Sequence, residues 1–190
     1  MYGASVVQLT DRRTRRDYFA AGMAILAEDG VAGLTTTRLC QRLNVTRGSL
    51  YHHFESGPAY HEALIEHWEH ELIPSLLAAV EAVEPRARID LLQDLALHTD
   101  HEAEKAIRAW AHTNDVVAAA LARIDTAREA ALARAFVDVG IAADRAATLS
   151  RIGFSLLIGA QQLDDELDRE RLEAVLAEYR AWIDHWRTDT

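Results

Sequence analysis

Thr36, Thr37 and Arg38, followed by Thr46, Arg47, Gly48, Ser49, Tyr51, His52 and His53, crowd hydroxyls, guanidinium groups and imidazoles into one short stretch of a 190-residue chain whose formal net charge is −10. The chemistry these groups share is hydrogen-bond donation to anionic oxygens. An arginine fork fits a phosphate or the edge of a guanine, and hydroxyls and imidazoles reach phosphate oxygens. No Ser/His/Asp or Cys/His arrangement and no Gly-rich phosphate loop is legible, so no catalytic residue is expected. The charge is uneven. Residues 1–55 hold seven arginines against five carboxylates, a net of +2, which leaves −12 for the remaining 135 residues. A locally basic head on an acidic body suggests that one end meets a polyanion.

Those side chains need elements to hold them. Thr10 can cap a helix over Asp11–Asp29 that Gly30 stops, with Tyr18, Phe19, Gly22, Ile25 and Leu26 on one face. Gly22 costs about 1 kcal/mol relative to Ala inside a helix, which points to close packing against a neighbour. Thr35 or Thr36 starts a two-turn helix that lasts to about Leu43, and Asn44 suits the left-handed residue that ends it. Thr46 caps a third helix from Arg47 to about Phe54. Leu39, Leu43, Val45 and Leu50 would form the core of this pair, leaving the polar residues together on the other side. Two helices joined by so tight a turn form a helix-turn-helix, whose second helix sets its N-terminal end against base edges.

The run "AEDGVAGLTTTRLCQRLNVTRGSLYHHF" resembles the N-terminal DNA-binding domain of TetR-family transcriptional regulators, and "IRAWAHTNDVVAAALARID" is similar to helices that follow in one branch of the family. Asn44 stands where the family often has Gly, and Gly57-Pro58 replaces a common Lys that supplies a phosphate contact. The resemblance implies a homodimer that binds palindromic double-stranded operator DNA, and the expected DNA-binding residues are Thr36, Thr37, Arg38, Thr46, Arg47, Gly48, Ser49, Tyr51, His52 and His53. It assigns Tyr51 a phosphate contact and implies an unknown small-molecule effector.

Pro58 suits the first position of a fourth helix running to about Val83, which Pro74 should kink or divide. Further helices are expected near Ala87–His101, Glu104–Ala111, Asp115–Val139, Ala143–Leu163 and Arg169–Arg187. Leu172, Val175, Leu176, Tyr179, Trp182, Ile183 and Trp186 make one wide apolar stripe, and Leu149, Ile152, Gly153, Leu156, Leu157, Ala160 and Leu163 make another. Both could be buried within one chain, but the resemblance favours pairing with the same two helices of a second subunit. The expected interface is Leu149, Ile152, Gly153, Leu156, Tyr179, Trp182, Ile183 and Trp186. Trp68, Trp110, His112 and Phe154 lie on separate helices that the family packs around an effector cavity, although each also reads as a core residue.

Arg12, Arg13, Arg15 and Arg16 oppose the macrodipole of the helix they begin, and phosphate contact would explain their placement. His67 with His70, and His98 with His101, have a spacing that can hold a metal. A di-metal helical bundle would need Glu-x-x-His pairs, which the chain lacks, so no metal or other cofactor is expected. Cys40 is the single cysteine, which rules out an intrachain disulfide and suggests a buried thiol in a reducing compartment. Neither a membrane span nor a signal peptide is indicated, and a cytoplasmic protein is expected.

Only three Pro and nine Gly, with 49% hydrophobic residues, favour an all-α protein. It should comprise an N-terminal three-helix helix-turn-helix DNA-binding domain at 1–56 and a C-terminal helical effector-binding and dimerisation domain at 57–190. The expected function is a ligand-responsive DNA-binding transcriptional regulator, a repressor that binds a palindromic operator as a homodimer, and not an enzyme. The second reading is a helical small-molecule- or metal-binding enzyme whose head is incidental.

Overall fold

The computed structural model describes residues 13–163 and 167–188, with side chains to residue 185. The described residues are helical, without a strand: α1 (Arg15–Gly33), α2 (Thr36–Leu43), α3 (Arg47–His53), α4 (Gly57–Glu81), α5 (Arg88–His98), α6 (His101–Ala111), α7 (Asp115–Asp138), α8 (Ala143–Leu163) and α9 (Arg169–Thr188). A single 3-10 turn, Pro85–Ala87, joins α4 to α5.

Local chemistry sets the ends of the first three helices. Thr14, not Thr10, caps α1; Thr10 itself lies outside the described residues. The backbone N–H of Thr14 donates to Asp17 at 2.7 Å while that of Asp17 donates to the Thr14 hydroxyl at 3.4 Å. Donation from the Thr14 backbone N–H, joined by the Thr14 hydroxyl, holds the Asp17 carboxyl below its ordinary range. Gly30, at φ 63°, breaks the helical path where a stop was expected. The Thr35 hydroxyl accepts from Arg38 N at 3.2 Å and that of Thr46 from Ser49 N at 3.3 Å, so α2 and α3 each begin on a threonine. Asn44 is left-handed at φ 53°, ψ 50°.

The body departs from expectation in one helix bound, and at Pro74 division of the helix falls away. Helix α4 runs undivided through Pro74. Proline removes the donor that the His70 carbonyl would use, but both residues are exposed, so water can replace that bond. The helix expected over 87–101 ends at His98, because the Asp100 side chain accepts from Ala103 N at 3.1 Å and starts α6 at His101.

Head and body share one core. Tyr18, Ile25, Leu39 and Leu50 belong to the same apolar cluster as Leu64, Trp68, Ile107, Trp110 and Ile124, so α1 packs against α6 and α4 as well as against its own small domain. Gly22 is the closest point. A methyl group there would lie 2.0 Å from the Tyr60 hydroxyl, which donates to the Tyr18 carbonyl at 2.9 Å. Burial moves the Tyr60 hydroxyl pKa well above its usual value. Arg123 and Glu69 tie α7 to α4 by two hydrogen bonds, of 2.5 and 2.7 Å.

Candidate nucleic-acid interface and effector cavity

Leu50 is fully buried, which fixes the rotation of α3 and turns Arg47, Gly48, Tyr51 and His52 outward. Arg47 does not hang free. Its Nη2 donates to the Thr37 hydroxyl on α2 at 2.8 Å, so the two helices present one preorganised guanidinium at the start of α3. Thr37 and Thr46 are exposed and Thr36 is half-buried. Tyr51 is 49% exposed, a rigid aromatic carrying a hydroxyl at the surface.

Three expected contact residues are engaged inside the protein. Arg38 donates to Asp29 at 3.0 Å and lies 3.6 Å from Glu28, while Arg42 bonds Glu28 at 2.6 Å, so both guanidiniums pin α2 to α1. The Ser49 hydroxyl is 2.9 Å from that of Tyr18. His53 is half-buried, its ring 5.2 Å from that of Tyr18, and its carbonyl accepts from Arg15 Nη1 at 2.8 Å. Arg15 also lies over the Phe54 ring at 4.5 Å. It therefore caps the C-terminus of α3 and braces the head, a structural role that the run of basic residues concealed. Arg16 is exposed, and Arg12 lies outside the described residues.

Cys40 is buried in the same head, and burial pushes its thiol pKa up, away from the reactive thiolate.

The body encloses a cavity of about 460 Å3 between α4, α5, α7, α8 and α9. Trp68 and Phe154 are among its lining residues, and Trp110 and His112 are not. Trp110 points to the head–body junction, where its ring meets that of His61 edge-on at 5.4 Å, and His112 is exposed at the end of α6. Periodicity marks Trp110 as inward-facing but cannot say which of two interiors receives it. Residues that sequence reasoning missed include Glu71, Leu92, Arg128, Phe136 and Arg180, most of them ordinary amphipathic-helix positions with no distinguishing signal.

At one end of the cavity a buried polar cluster closes the wall. Glu104, 3% exposed, accepts from Arg128 through both Nη atoms, from Thr99 at 2.9 Å and from Gln161 at 3.3 Å. Burial pushes its carboxyl pKa up, but the Arg128 charge and these hydrogen bonds together outweigh burial and hold it below its usual range. The buried His101 Nδ1 lies 3.0 Å from Gln161 Nε2, and burial lowers its pKa, favouring the neutral ring. A neutral tautomer protonated on Nε2 lets that nitrogen donate to the Leu97 carbonyl at 3.3 Å while Nδ1 accepts from Gln161.

The two apolar stripes of α8 and α9 divide between two directions. Leu149, Leu157, Leu172, Leu176 and Ile183 are buried within the chain. Gly153 is committed to its own α9, since a methyl group there would lie 2.9 Å from the Tyr179 ring, whose hydroxyl donates to the Leu149 carbonyl. Burial pushes that hydroxyl up to about 12. Ile152, Val175 and Trp182, at 37%, 38% and 43% exposure, face outward, with Leu156 half-buried. The side chain of Trp186 lies outside the described residues.

The described residues contain no cluster of three or more metal-ligating side chains and no helix long and apolar enough to cross a membrane. Residues 19–56 match the family model of bacterial regulatory proteins, tetR family. No curated protein matches the chain by sequence. Among solved structures, a transcriptional regulator from Rhodococcus sp. Rha1 is similar at TM-score 0.70 and 19% identity, over 90% of this chain and 96% of that one. NemR of E. coli in its reduced form gives 0.70 and 20%, over 89% and 96%. A TetR transcription regulator from Haloarcula marismortui gives 0.66 and 20%, over 87% and 95%. At these identities the likeness speaks for the fold. The head thus carries the sequence pattern of bacterial regulatory proteins, tetR family, over residues 19–56, and the fold of the whole is similar to that of solved transcriptional regulators.

Proposed function

We propose that this protein regulates transcription by binding palindromic duplex DNA as a homodimer, with α3 in the major groove, and that a small molecule in the body cavity releases it as a repressor. The observation that carries the reading is the Arg47–Thr37 bond, which holds a guanidinium at the solvent-facing start of α3 before any partner arrives. An exposed arginine usually keeps its rotamer freedom, and fixing it in advance lowers the cost of binding. Tyr51 and His52 on the same exposed face supply the positioning contacts to phosphate. Such a partner places the work of the protein in the cytoplasm.

Dimerisation through the outward faces of α8 and α9 fits the exposure of Ile152, Val175 and Trp182. Two heads would then read half-sites about 34 to 36 Å apart, one helical turn of DNA. Helix α4 supplies the link to the cavity, because Tyr60 holds α1 at one end and Trp68 lines the cavity further along the same helix.

The test is selection of a duplex from a random pool, followed by fluorescence anisotropy with the selected and a scrambled sequence. Arg47→Ala should cost about 1 to 3 kcal/mol on the selected duplex and relax preference at one base pair in each half-site. Equal losses on both duplexes would remove Arg47 from base reading, and failure to select any sequence would remove the function.

A further inference from the structure

The charge balance around the cavity specifies more than its apolar volume does. Two arginines reach the lining, and each is already neutralised. Arg128 gives both Nη atoms to the buried Glu104. Arg180 Nε bonds Asp184 at 3.2 Å, and its Nη1 lies 3.1 Å from Asp90, out of line for a hydrogen bond but close enough to cancel charge. His98, at the rim, sits 3.2 Å from Asp94. A ligand carboxylate or phosphate entering here would have to displace one of these partners and leave a carboxylate uncompensated.

Glu71 is the opposite case. It lines the cavity, yet among the described residues its carboxylate meets only Arg16, at 4.0 Å, with 81% of the Arg16 side chain and 58% of the Glu71 side chain exposed. An ion pair so long and so wet holds its partners weakly. Trp68 stands three residues before Glu71 on α4, so an aromatic face and a loosely held carboxylate project from the same side of one helix into the same cavity. Phe154 and Phe136 add further rings to the wall. The most exposed lining residues, Glu71, Ser75, Leu95 and His98, belong to α4 and α5, which puts the opening between these helices. Beyond residue 55 the chain carries −12, a balance that favours the approach of cations to the body over that of anions.

We propose that the cavity takes a lipophilic cation, an organic ammonium or related onium group on an apolar body, with its charge between the Trp68 ring and the Glu71 carboxylate. The inference rests on the effector role proposed above for this cavity and names the class of molecule that fills it. The apolar body occupies the interior against Leu72, Leu92, Phe136 and Phe154, in a volume of the size that drug-like ligands use. The cation meets aromatic faces, which attract it, and the one lining carboxylate without a close cationic partner.

Calorimetry on the full chain tests this with three probes of equal chain length, decyltrimethylammonium, decanol and decanoate, each below its micellar concentration. The ammonium should bind one per chain and at least about tenfold more tightly than decanol, a ratio within reach of a desolvated cation–π contact joined to an ion pair. Decanoate should bind weakest. Glu71→Gln should bring the ammonium down to the affinity of decanol while the melting temperature holds, since that carboxylate supports no buried structure. Decanoate binding as tightly as the ammonium, parity between ammonium and decanol, an undiminished preference in Glu71→Gln, or no uptake of any probe would each overturn the proposal. Repeating the ammonium titration with the selected duplex present addresses the regulator reading separately. Linkage requires DNA to weaken the ligand by the factor that ligand weakens DNA, and an unchanged affinity would sink the effector role while the class preference, measured without DNA, stands on its own result.

Discussion

Gly48 shows how a single residue can be explained by what is absent around it. Its φ is not positive, and a methyl group added there would meet nothing nearer than the Thr46 hydroxyl at 3.6 Å, an ordinary contact. The fold therefore does not demand glycine at the second position of α3, and helix propensity argues against it by about 1 kcal/mol. Close approach of the backbone to a DNA phosphate is a reason that survives. Gly48→Ala should leave the melting temperature unchanged or higher, yet weaken duplex binding by about tenfold, near 1.4 kcal/mol. If anisotropy shows wild-type affinity, the backbone at Gly48 does not approach the duplex. The same scale shows what could be read from the sequence alone. Thr35, Thr46 and Asn44 were legible because a cap or a left-handed residue acts within a few positions of itself. Arg15, Arg38 and Ser49 were not, because their partners His53, Asp29 and Tyr18 lie 38, 9 and 31 residues away.

Between elements, the contact of α1 with α4 turns on one missing methyl. Gly22→Ala would drive a carbon into the Tyr60 hydroxyl and break its bond to the Tyr18 carbonyl. Overpacking and a lost buried hydrogen bond together should destabilise the protein by about 3 kcal/mol. That corresponds to a fall of roughly 6 to 12 °C in melting temperature for a chain of this size. Adding Tyr60→Phe should restore the overpacking part of the loss but not the hydrogen bond, because the nearest remaining atoms, Leu64 Cδ2 and the ring Cζ, then lie 3.0 and 3.2 Å from the new methyl. Absence of rescue in calorimetric melts would place the strain elsewhere. Sequence reading anticipated that Gly22 marks a close approach but not which helix approaches. It failed more openly at Trp110 and at the two stripes of α8 and α9, for a common reason: an apolar face announces that it will be covered, not by what. Trp110 is covered by the head and Leu149 and Ile183 by their own chain, while Ile152 and Trp182 stay 37% and 43% exposed.

For the whole molecule, that last pair separates assembly from folding. Ile152→Asp with Trp182→Asp places charges on the outward faces of α8 and α9 while the buried residues beneath them remain. Sedimentation should show monomers with a nearly unchanged melting temperature, and affinity for a palindromic duplex should fall steeply because the two half-sites lose their common reader. A dimer that survives would mean that the subunits pair elsewhere. The shared core carries a different consequence. Tyr18, Ile25 and Leu26 lie in one apolar cluster with Ile107, Trp110 and Ile124, so the core has no seam near residue 56. Exchanging heads between two such regulators by cutting there would strip α1 of the surface it was shaped against and expose an apolar wall on α6. A working chimaera must carry the facing residues of α6 and the first turns of α4 with the head, so that the head is inheritable only together with part of the body.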